Sequence, residues 1–346
     1  MKAPAMKSMP RNLAFMAILV FITFKYLIQG FTREDIKTAI SISQKGYVMF
    51  AIFFSVLYMF CEAVNTRRIL NVFGYDIDIF KTVRYAFTGF FFAALTPSAT
   101  GGQPVQVYVM KKEGIRIPHS SLVLMIELCS FQLVTVVMAL IGYYYSRDYI
   151  FSGGKIYLTV ITVGILMNFF IFLFIFFAIF SKRFIMLMKR ISYFLIDKMS
   201  FIKDKEAKKD FFEKGLEEYR YGAVFIKANK VVALKTFLTT TVQVVLMYSI
   251  SFLVYRSLGL DTLSFTSVFF LQALAFVSVS AMPLPGAIGI SEKVFNFLFL
   301  PVYDGFLNEG LILTRGINFY FLFAVSAVIF FTAFNKYIFE KKVANE

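Results

Sequence analysis

Ionisable side chains inside long apolar runs are the residues of this sequence most able to do chemistry. Glu127 lies in such a run with Gln132 five positions on, and Glu292 stands beside Lys293 just after a Pro/Gly-rich stretch. A carboxylate at the centre of a bilayer costs about 2.5 to 3.5 kcal/mol, so each needs a polar interior or a partner. Both are therefore candidates for holding a cationic group or cycling a proton. Glu62 and Asn65 lie nearer the end of their run, and Arg315 and Asn318 open the last one, where an Arg can also extend its head to the interface. Metal and nucleophile chemistry have little material. The single His, His119, and the two cysteines, Cys61 and Cys129 in or beside apolar runs, argue against a metal site, a bound cofactor, a disulfide framework and a catalytic triad. No catalytic residue is assigned.

A second kind of chemistry comes from two breaks. The apolar region Val83 to Met110 is interrupted by residues 96–104, which include Pro97, Gly101, Gly102, Gln103 and Pro104. The region from about Leu263 to Val302 is interrupted by residues 282–289, which include Pro283, Pro285, Gly286 and Gly289. Proline removes a backbone donor and glycine weakens a helix interior, so neither region reads as one straight helix. Irregular backbone at membrane depth must line protein or a water-filled cavity, which turns both breaks inward. Ser98 or Thr100 can cap a half-helix, with Pro104 in its first turn. Amides around Gly101, Gly102 and Gln103 would then offer an anion the positive end of a helix dipole, and Gly286 and Gly289 would do the same from the opposite side. In a membrane the obvious anion is a phosphodiester headgroup.

The elements that position these residues follow from composition. Of the 346 residues 59% are hydrophobic and 16% charged, against about 25% charged in ordinary soluble domains. Runs long enough to span a bilayer occur at about 13–31, 47–65, 120–145, 156–180, 231–255 and 311–334. The first, after Lys2, Lys7 and Arg11, is too long for a signal peptide and reads as a retained span. The expected fold is an all-α polytopic membrane protein with six full spans and two re-entrant hairpins, the alternative being an eight-helix bundle with two Pro-kinked spans.

Charge sets the orientation. The net charge is +15. With the N-terminus cytoplasmic and the first break a hairpin on that side, the inner loops carry +14 and the outer loops +1. Both termini then lie inside, the second hairpin enters from outside, and the chain 1–346 is one domain built as an inverted repeat. Its first half is 1–145 with the broken segment 83–110, and its later spans, 231–346, hold the broken segment 263–302. Paired interruptions of this kind point to a midplane binding site.

Residues 182–230 form a basic cytoplasmic insert with 13 Lys+Arg and 7 Asp+Glu. Phe184, Leu187, Met188, Ile191 and Leu195 give one helical apolar face amid basic residues, as in a helix lying among headgroups. A second stripe, Phe212, Leu216, Tyr219, Ala223 and Ile226, is set to pack on the first helix or on a partner. The positive charge is thus spread over a membrane face, which argues against nucleic acid as a partner.

The two breaks also carry a resemblance. TPSATGGQPVQVYVMKKEGI at 96–115 and MPLPGAIGISE at 282–292 resemble the signature stretches of the flippase-like transmembrane region of bacterial lysylphosphatidylglycerol synthase, the multiple peptide resistance factor. The resemblance implies a multi-pass protein of the bacterial cytoplasmic membrane that moves phosphatidylglycerol or its aminoacylated derivative between leaflets, with resistance to cationic antibiotics as the outcome. Carried over by position, it marks Pro97, Gly101, Gly102 and Gln103, then Pro283, Pro285, Gly286, Gly289 and Glu292. Many relatives have Glu at the position of Gln103 and a basic residue at that of Val107, so an ion pair expected there has no counterpart. The family label extends to a phosphatidylglycerol lysyltransferase, but no nucleotide, tRNA or acyl-transfer motif occurs in these residues. The chain is therefore expected to have no catalytic activity by itself. The other readings are a membrane component of a synthase whose transferase is a separate chain, and a non-transporting scaffold. Homo-oligomerisation is left open.

Overall fold

The computed structural model describes residues 32–96, 99–152, 154–198, 204–280 and 289–343. The expected span at 13–31 lies outside these residues, as do Pro97, Ser98, Pro283, Pro285 and Gly286. Every regular element among the described residues is helical. After a short α1 (Arg33–Ile42), started by reciprocal Thr32 and Asp35 hydrogen bonds, comes α2 (Lys45–Val72). The next long helices are α5 (Ile117–Tyr145), α7 (Lys155–Phe180) and α10 (Lys230–Ser257). A final column consists of α13 (Leu307–Arg315), a π-helical turn (Gly316–Phe321) and α14 (Leu322–Val343). Five of these segments are long and apolar enough to cross a membrane. They match the five expected spans that fall among the described residues. Large side chains such as Phe50, Phe53, Phe170 and Phe174 stay exposed on their outer faces, as lipid-facing residues must.

The first broken region is α3 (Ile79–Leu95) followed by α4 (Gly102–Lys112). Asp78 starts α3 by accepting a hydrogen bond from the Phe80 amide at 3.0 Å. The arms run antiparallel along their whole length. At the tip Gly101 N donates to Thr96 Oγ1 at 2.8 Å. Gly102 beside it lies against Gly89 and Ala93, midway Gly89 also faces the Gln106 side chain, and at the base Glu113 accepts from Arg84 at 2.8 Å and from the Tyr85 hydroxyl at 2.7 Å. The region therefore folds back on itself, as the Pro/Gly break requires.

The second broken region, α11 (Phe265–Ser280) and α12 (Ile290–Phe299), approaches from the other end of α5. Phe270 lies against Gly142, six residues further along α11 Phe276 meets Phe131 midway down α5, and Tyr149 beyond the same end donates to Leu298 O at 2.5 Å. The two hairpins thus point toward each other from opposite ends of the bundle. The packing is reciprocal: α3 lies on α14 through Phe91 with Phe323 and Phe330, while α11 lies on α5. At the centre α2 and α10 run antiparallel, tied by Asn65 to Thr240 at 3.0 Å and by Gln44 N to Ser257 O at 2.7 Å.

Between the halves lie α6 (Arg147–Ser152), α8 (Lys182–Lys198) and α9 (Lys205–Ala228), the first following α5 and the other two forming the basic insert. The second insert stripe docks on the bundle: Ala223 and Ile226 are buried, and the Tyr219 hydroxyl reaches Met125 Sδ at 3.2 Å. The α8 face keeps Leu187, Ile191 and Leu195 exposed. Lys189 and Tyr193 of α8 both hydrogen-bond Glu213 of α9.

Candidate functional site

Between the described ends of the two hairpins and the final column lies a cavity of about 290 Å³. Both halves line it: Ser55 and Tyr58 come from α2, Ala99 from beside the first break, and Ser280 and Ser291 flank the second. Thr314, Arg315 and Asn318 contribute from the last column at its π turn, a distortion often found at functional sites. Phe90, Phe276 and Phe295 make much of the remaining wall apolar.

Arg315 is the cation of this wall. Its Nε donates to Glu292 Oε1 at 3.2 Å, and its guanidinium lies 4.6 Å from the Phe319 ring centroid. Its side chain is 13% exposed and that of Glu292 19%, so the pair is mostly withdrawn from solvent. The other carboxylate oxygen accepts from Gly289 N at 2.5 Å and from Ser291 Oγ at 3.0 Å. Gly289 has φ +81°, a left-handed conformation that suits glycine, and this turn aims its amide back at Glu292. Glu292 thereby satisfies the open start of α12 and neutralises Arg315 at once.

The first break is organised differently. Beside it the Thr96 hydroxyl donates to Phe92 O at 2.8 Å while accepting from Gly101 N. Gly102 N bonds to Ala99 O at 3.3 Å, and Ala99 itself takes φ +56°, a strained conformation for a residue with a Cβ. A Cβ on Gly102 would stand 2.9 Å from Gly89 O, so the glycine is required by close helix approach. The amides of Gly101 and Gly102 are used within the hairpin, and Gln103 is exposed.

Glu127 does not line the cavity. It accepts from Thr66 Oγ1 at 2.7 Å, and Glu62 accepts from Gln106 Nε2 at 2.9 Å, close enough to Glu127 for the two charges to interact. Asn65 and Arg68 extend this group toward Thr239 and Thr240 of α10. Ser55, Tyr58, Glu62, Asn65 and Thr66 recur at three-four spacing on α2 and form one polar stripe from the cavity into the cluster. Sequence reasoning named Glu62 and Asn65 but missed Tyr58 and Thr66, for which this stripe was the available signal, and Gln106 of α4, which only the contact with Glu62 reveals. His119 stacks on Phe73 with ring centroids 4.6 Å apart and hydrogen-bonds the Tyr75 hydroxyl at 3.0 Å, a packing role.

Residues 12–326 match the family described as the lysylphosphatidylglycerol synthase TM region. The chain is also similar to a UPF0104 membrane protein of Archaeoglobus fulgidus, 24% identical over 291 residues that cover 82% of this chain and 85% of that protein. With its opposed hairpins and helices able to cross a membrane, this multi-pass protein belongs to the lysylphosphatidylglycerol synthase TM-region family.

Proposed function

We propose that the protein passes a phospholipid headgroup between membrane leaflets through the cavity at the hairpin tips, the acyl chains remaining in the surrounding bilayer. The observation that carries this reading is the cavity itself, lined from both hairpins and holding a cation, Arg315, on an otherwise largely apolar wall. Arg315 attracts the phosphate, and Ser280, Ser291 and Asn318 offer polar contacts beside it. Pro97, Pro283, Pro285 and Gly286, which the sequence puts at the two breaks, are part of the same proposal as residues that would contact the headgroup. Glu62 and Glu127 are the next polar station along α2. The family description and the positive-inside pattern support phosphatidylglycerol or an aminoacylated derivative in a bacterial cytoplasmic membrane, with both termini inside. In that setting a gain in cationic-peptide resistance follows from moving such a lipid outward.

Reconstitution in liposomes with a headgroup-labelled lipid tests the proposal. The native chain accelerates leaflet exchange, and Arg315→Gln lowers that rate at least about tenfold, as expected when a charge-assisted phosphate contact is lost. Exchange no faster than in protein-free vesicles rejects it.

A further inference from the structure

We propose that α8 is a peripheral lipid site, separate from the cavity: its apolar face seats among acyl chains at the membrane boundary, and cations along that face recognise an anionic leaflet surface. Position is the first support. The α7 helix, long and apolar enough to cross a membrane, ends at Phe180, and the chain breaks at Ser181, whose hydroxyl accepts from Phe184 N at 3.3 Å as α8 begins. The break folds the chain back. Phe184 meets Phe174 edge-on with ring centroids 5.2 Å apart, whereas one straight helix would separate these positions by about 15 Å. Phe174 is 58% exposed on the lipid-facing side of α7, so the apolar face of α8 continues a surface that meets acyl chains.

That face is left uncovered by the protein. Leu187, Ile191, Phe194 and Leu195 are 41 to 61% exposed, whereas Lys189 and Tyr193, on the opposite side of the helix, hold Glu213 of α9. A helix with one broad apolar side and polar groups on the other lies in the plane of a membrane surface. Charge then narrows the class of lipid. Arg183 and Arg190, seven positions apart and hence on one edge of the face, are exposed, as is Lys198, whose ammonium lies 5.8 Å from the Phe194 ring centroid. Among the described residues no acid pairs with these three cations: Asp197 is taken by Lys209 at 2.8 Å and Glu213 by Lys189. Cations beside an inserted apolar face extend to headgroup depth, where they gain most from a surface of net negative charge.

The chain contains no Trp, so Ile191→Trp places a single indole on this face. The full chain carrying it is reconstituted in mixed vesicles of phosphatidylcholine and phosphatidylserine, with bromine on the acyl chains of one lipid at a time. Both brominated lipids are expected to quench the indole, and at equal mole fraction the phosphatidylserine should quench as if enriched at least about threefold. Arg183→Gln, Arg190→Gln and Lys198→Gln together should bring that ratio to about one. High salt should do the same, since the Debye length falls to about 3 Å at 1 M. An indole quenched by neither lipid overturns the insertion. Equal quenching by the two lipids, or a preference that survives the triple substitution, overturns the recognition of charge. If the triple variant does not fold, the salt titration of the Ile191→Trp chain decides alone, and a preference unmoved by salt rejects the proposal.

Discussion

The two hairpins have the same outline and opposite directions, yet they are held by different means. The first is stabilised by its own arms, through the Thr96 contact with Gly101 N, the Gly89 and Gly102 contact and the Glu113 base. The second leans on neighbours. Asn168 of α7 donates to Val277 O at 3.0 Å and accepts from Ser280 Oγ at 2.9 Å, Gly164 of α7 lets the α11 backbone approach, and Arg315 holds the start of α12. Freed backbone groups at membrane depth need partners, and the molecule meets this need once within a hairpin and once between helices.

The largest expected effect comes from removing the close approach at the braced hairpin. A Cβ on Gly164 would lie 2.6 Å from Val277 O and 2.8 Å from Ser278 Cα, both backbone atoms that cannot step aside. Gly164→Val should therefore cost about 1 to 3 kcal/mol or more, seen as earlier labelling of Cys61 and Cys129 by a thiol-reactive dye on heating. Hydrogen exchange should rise in α11 and α12 but not in α3 and α4; a rise in both would erase the distinction. Asn168→Leu keeps the volume but leaves Val277 O without that donor, at a cost of about 1 to 3 kcal/mol in the same assay, again confined to the second hairpin. Thr96→Val is the mirror test. It removes the hydroxyl that accepts from Gly101 N, and about 0.5 to 2 kcal/mol should be lost from the first hairpin alone.

The smallest effect lies outside both hairpins and serves as their control. Hydrogen bonds from Lys189 and Tyr193 hold the Glu213 carboxyl below the ordinary carboxylate range. A lowered native value means that the contact stabilises the folded state above the unfolded carboxylate's pKa and is lost as pH falls through the native value. Acidification should raise hydrogen exchange where α8 meets α9 while both hairpins keep their protection.

Much of this architecture was legible in the sequence because length and Pro/Gly placement are local properties. The long spans follow from apolar runs, and the fold-back at 96–104 follows from residues that cannot continue a helix. Pairings between distant residues were not legible. Glu292 and Arg315 are 23 positions apart on separate helices, and nothing in either neighbourhood names the other. The Thr96 contact was not legible either: the turn through Ala99 brings that hydroxyl back to the Gly101 amide, five positions on. Glu127 read as a midplane site residue from burial alone. It proved to share a cluster with Glu62 through Thr66, since periodicity tells which face of a helix turns inward but not which cavity that face meets.

The short return arms are also a ruler. At about 1.5 Å per residue, the 11 residues of α4 and the 10 of α12 reach roughly 16 and 15 Å. Laid tip to tip they match a hydrocarbon core of about 30 Å, with nothing to spare. In a thicker membrane either the tips draw apart or the bilayer thins around them, so the width of the gap they bound is tied to the lipids outside the protein as well as to the residues within it.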